Sequence, residues 1–134
     1  MSVWTHITGA LRIDAVVMNK QHEQMILKKV HETLGKTCNH DSTSDVFNAC
    51  NVPRGSEGSL QYYVHQYDTG LPWAIIGIWG DLRDYDNVDE IKAWWEKVCK
   101  AFPLVRQGVL VVRCEASNES HVWPYVHADE KQEV

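Results

Sequence analysis

The sequence predicts a single α+β sandwich. Three observations point to it. Runs with period-two alternation flank two stretches with helical spacing, each helical stretch ends at a recognisable stop, and a turn signal joins the middle two runs as a hairpin. At 134 residues the chain makes one domain. That domain is expected over 1–116, with 36–58 as an inserted loop and 117–134 as a C-terminal tail.

The first strand is expected from Val3 to Val17. Val3, Thr5, Ile7, Leu11 and Ile13 share one face, and Trp4, His6, Thr8, Ala10, Arg12 and Asp14 share the other. Asn19 can cap a helix that runs to about Leu34, where Gly35 supplies a stop. Residues 36–58 are rich in turn formers, with one helical turn expected at Asp45-Val46-Phe47.

Ser59 to Tyr67 reads as the second strand, with Leu60, Tyr62 and Val64 on the core face. Asp68-Thr69-Gly70 is the hairpin turn into a third strand, Pro72 to Arg83. Asn87-Val88-Asp89-Glu90 has capping-box spacing and opens a helix that Pro103 stops. Val105 to Glu115 is the last expected strand. The order β-α-β-β-α-β is that of a ferredoxin-like sandwich: a four-stranded antiparallel sheet with two helices on one face and a long loop after the first helix. The right-handed crossover rule gives the strand order 4-1-3-2.

A net charge of −5 opposes polyanionic partners, so nucleic acid and anionic membrane are not expected. No stretch approaches a membrane span, and Met1-Ser2-Val3-Trp4-Thr5-His6 lacks the regions of a signal peptide. A cytoplasmic location with reduced thiols is the expectation.

Six tryptophans exceed what so small a core needs. Parity places Trp4, His6, Tyr63, His65, Tyr67, Trp73 and Trp79 on the sheet face away from the helices, with Arg12 and Arg83. Such a face is expected to be covered. The candidates are a second copy of the chain, the 36–58 loop or the tail, a flat ligand stacked on the rings, or another protein. Those nine residues, with Arg54 of the loop, form the expected binding set.

Other motifs compete with plainer readings. Cys38, His40 and Cys50 are zinc-ligand types, but C-x-H is no standard knuckle, so no metal is expected. Asp68-Thr69-Gly70 matches an aspartic-protease triplet, yet it falls where the hairpin needs a turn. Pro53 to Ser59 could cradle a small anionic or nucleotide-like ligand with Arg54, but no Lys-Ser/Thr or helix follows, and a structural turn is the simpler reading. His6 and His65 are the histidines near carboxylates on the open face, and either could serve as a general base. No nucleophile-base-orienter set accompanies them, and no cofactor is implied.

Trp4-Thr5-His6-Ile7-Thr8-Gly9 and Gly55-Ser56-Glu57-Gly58-Ser59-Leu60 give the chain a look similar to the small acidic accessory proteins of tailed bacteriophages. That resemblance implies a binding role in the host cytoplasm, including inhibition of host defence, and assigns no residue. From the negative charge, the lack of a catalytic set and the surplus of interface-type aromatics, the expected function is a non-enzymatic binding protein, homodimeric, that engages a host protein or captures a small ligand through the aromatic face and the 36–58 loop. The alternative is a small dimeric enzyme of the α+β-barrel type, with His6 or His65 acting in the sheet cavity.

Overall fold

The structure is a computed structural model that describes residues 2–14, 20–35, 46–53, 55–66, 73–85, 87–102 and 105–126. The elements are β1 (Trp4–Asp14), α1 (Lys20–Leu34), β2 (Val46–Asn48), β3 (Leu60–Gln66), β4 (Trp73–Arg83), α2 (Val88–Ala101), β5 (Val105–Cys114) and β6 (Glu119–Val126). They form one six-stranded sheet in the order β2-β3-β4-β1-β5-β6, and every neighbouring pair is antiparallel.

This corrects the four-stranded ferredoxin-like sandwich. The strands expected from periodicity lie side by side as β3-β4-β1-β5, but the sheet continues past them at both edges. Asp45-Val46-Phe47 was expected as a helical turn; Val46 and Phe47 instead belong to β2, paired with Tyr63 and Tyr62. The expected tail supplies β6, paired with β5 from Gln107↔Val126 to Cys114↔Glu119. Pro124 is tolerated there because an edge strand has one side without ladder bonds.

The core face follows the alternation. Ile7, Leu11 and Ile13 of β1, Ile76, Ile78 and Leu82 of β4, Leu60 and Tyr62 of β3, and Leu110 and Val112 of β5 are buried. Val30 and Leu34 of α1 and Ile91, Trp94, Trp95 and Val98 of α2 complete the same cluster. The helix termini obey their sequence signals. Asn87 Oδ1 accepts from the Glu90 amide at 3.2 Å, while Glu90 reaches back to the Asn87 side chain at 3.3 Å. Gly35 ends α1 at φ 82°, a conformation that costs glycine little.

Two contacts tie the outlying segments to this core. The Trp95 indole donates to the Trp123 carbonyl at 3.1 Å, so β6 is anchored from the helix side. Trp123 and Tyr125 belong to the tail that was one expected cover for the open face, and they pack instead against the core cluster. The Tyr62 hydroxyl donates to the Gly35 carbonyl at 2.8 Å and lies 2.6 Å from His31 Nδ1. Burial pushes the Cys99 thiol up to about 12, so it stays protonated.

Candidate docking face

The site is built from strand register. On the sheet face away from the core, the pairings align side chains in rows across five strands. One row is Gln61–Trp79–Thr8–Val111–Val122. The next is Tyr63–Gly77–Ala10–Val109–Pro124. Together they form an apolar band. Among the described residues, four of the six large hydrophobic residues that stand exposed lie in it: Trp79 at 36%, Val109 at 37%, Val111 at 39% and Val122 at 60%. Solvated faces of antiparallel sheets normally carry polar side chains, and this band departs from that pattern.

Polar rows border the band. Toward one end lie Asp81, His6, Arg113 and Ser120. Toward the other lie His65, Arg12 and Gln107, with the apolar Ile75 between His65 and Arg12. An apolar centre with a polar rim is the anatomy of a protein interface.

His6 sits between two carboxylates. Its Nδ1 lies 2.6 Å from Asp81 Oδ1 and its Nε2 lies 2.9 Å from Glu115 Oε2. With both ring nitrogens facing acceptors, the favoured species is the imidazolium, which donates twice. The bonds from Glu115 and Asp81 hold the His6 pKa above its ordinary value. The His6 bond, with help from the Trp4 amide, holds Glu115 below its own. Glu115 Oε1 also accepts from the Trp4 amide at 2.9 Å. The cluster clamps the end of β1 to β4 and to the turn after β5.

The expected binding residues fall into three groups. Trp79 and Tyr63 lie in the band, while His6, Arg12 and His65 lie on its rim. Trp4 and Arg83 pair one row further out. There Arg83 Nη1 meets Glu57 at 2.8 Å, and a Cβ on Gly58 would come within 3.4 Å of the Trp4 ring. Trp73 pairs with Asp14 through its backbone at the far end of the β1–β4 ladder. Arg54 and Tyr67 lie outside the described residues, as do the Asp68-Thr69-Gly70 turn, Cys38 and His40.

His6 and His65 are not brought together. Two rows lie between theirs, and the separation is about 20 Å along the strands. Sequence reasoning missed Glu115 and the valines Val109, Val111 and Val122. The valines read as ordinary strand formers, and only the register shows that they extend the Trp79 row. Among the described residues no group of three or more His, Cys, Asp and Glu side chains could hold a metal ion, and no helix is long and apolar enough to cross a membrane.

The glycine-rich segment is a strap beside β4. The Ser56 amide donates to the Arg83 carbonyl at 3.0 Å, and the Arg83 amide donates to the Glu57 carbonyl at 3.0 Å. The Ser56 amide, spent on the strand, does not turn toward an anion. A concavity of about 750 Å³ lies between the helices and residues 50–53, with Trp94 in its wall. Glu32 and Glu90 stand beside Lys97 there, which disfavours an anionic ligand.

No protein-family model, no curated protein and no solved structure matches the chain.

Proposed function

We propose that the chain is a non-enzymatic binding protein whose outer sheet face docks another protein. The apolar band carries this reading: Trp79, Val109, Val111 and Val122 stand exposed on one face, within a polar border. Trp, Tyr and Arg are the residue types that most often anchor interfaces, and Trp79, Tyr63 and Arg12 stand in or beside the band. The resemblance to bacteriophage accessory proteins makes a host protein a candidate target, and inhibition of host defence a candidate outcome of binding it.

The enzymatic alternative is less well supported. A general base needs a free lone pair, and both His6 ring nitrogens are engaged by carboxylates. His65 stands far from that cluster.

Affinity capture from lysate tests the proposal. Wild-type chain and Val111→Glu serve as paired baits, with circular dichroism confirming that both are folded. The expected result is a set of proteins retained by the wild type and lost with the variant. Retention of the same proteins by both baits would place binding elsewhere and reject the outer face.

A further inference from the structure

We propose that the outer face pairs with the outer face of a second copy of this chain, about a two-fold axis running along β1. This rests on reading the face as a docking surface and names its occupant.

The first argument is shape. A two-fold axis along β1 lays β4 of one copy over β5 of the other, because these strands flank β1 on opposite sides. Trp79 then lies over Val111 of the second copy, since both pair with Thr8. Gly77 lies over Val109 of the second copy, since both pair with Ala10. A Cβ added at Gly77 would meet nothing nearer than the Trp79 ring at 3.9 Å, so the site is hollow. A branched side chain from the facing sheet can fill it. On the axis itself, Thr8 and Ala10 are short enough for the sheets to approach.

The second argument is charge. The same operation sets Asp81 over Arg113 of the second copy, twice in the dimer, since both pair with His6. The competing axis in the plane of the face runs across the strands. It would exchange the bordering rows and set His6 over Arg12 of the second copy, cation on cation. The axis along β1 sets His6 and Arg12 each over its own equivalent in the second copy, so what favours it is the Asp81–Arg113 pairing, which the competing arrangement lacks.

The third argument is area. Five strands about 4.8 Å apart, with three outward residues on β3 and four on each of the others about 6.7 Å apart, present about 600 Å² per copy. Two copies bury about 1,200 Å², at the lower end of the range of stable specific interfaces.

Charge exchange tests the arrangement. Asp81→Arg and Arg113→Asp each place like charges over one another at both symmetry-related contacts. Sedimentation equilibrium at micromolar concentration should show a wild-type dimer and, for each variant alone, a dimer weakened about tenfold or more. Mixing the two variants should restore dimers, because each mixed contact then unites opposite charges. A wild-type monomer, or a mixture no tighter than its components, overturns the pairing. A wild-type monomer that still loses a captured protein on Val111→Glu would overturn the self-pairing alone and leave the docking face standing. Both charge variants stand at exposed positions, and their circular dichroism confirms the fold.

Discussion

His6 shows how one residue ties three elements together. Its side chain is 42% exposed and touches Asp81 of β4 and Glu115 of the turn after β5. The two shifts have opposite signs and together define a pH window. Because the folded His6 pKa is raised, its contribution is full below the ordinary value of 6.5 and fades as pH rises through the folded value. Because the folded Glu115 pKa is lowered, its contribution is full above the ordinary value of 4.5 and fades as pH falls through the folded value. The stability difference between wild type and His6→Ala should therefore be largest between pH 4.5 and 6.5. Urea unfolding across pH checks this, and a difference independent of pH would contradict the clamp. Tyr62 makes a second residue-level prediction. Tyr62→Phe removes the donor to the Gly35 carbonyl and the acceptor facing His31, in a fully buried site. Unfolding should show a loss of about 1–3 kcal/mol.

At the scale of elements, close approach explains the glycines of the strap. Gly58 has φ 83°, and a Cβ there would overlap the Asp81 carbonyl oxygen. Gly58→Ala should cost about 1–3 kcal/mol, whereas Gly77→Ala, whose Cβ would meet nothing in its own chain nearer than the Trp79 ring at 3.9 Å, should leave the stability of the single chain within about 1 kcal/mol of wild type. Denaturant midpoints of the two variants decide it. β6 carries a similar prediction. Ending the chain after Asn118 would remove the Trp123 carbonyl that the buried Trp95 indole donates to, and would bare the β5 edge. That truncation should lower the unfolding midpoint sharply; an unchanged midpoint would mean that β6 adds nothing to the core.

The same elements show what could be read from the sequence. The alternation in β1 and β4 was readable because burial on one side enforces it, and α2 was readable from its capping residues. The sheet edges were not. β2 is three residues long, too short for a period, and Pro124 in β6 argues against a central strand but not against an edge strand. Parity placed Trp79 and Tyr63 on the outer face. The clamp stayed hidden because His6 and Glu115 are 109 positions apart and meet only through the β1–β5 register. A carboxylate in a turn has no sequence signal that points to a distant imidazole.

At the scale of the whole molecule, the protein has one face closed by helices and one face with an apolar band. The outer face is therefore the central claim, and photo-crosslinking tests it most directly. A photoreactive amino acid is placed at Val122, 60% exposed at the edge of the band, and separately at Met25, 66% exposed on α1. The two positions differ little in exposure, so any difference in adducts reports the surface and not access. Irradiation in lysate should give protein adducts from position 122, with a second copy or another protein, and few from position 25. Adducts from position 25 with none from 122 would contradict the account.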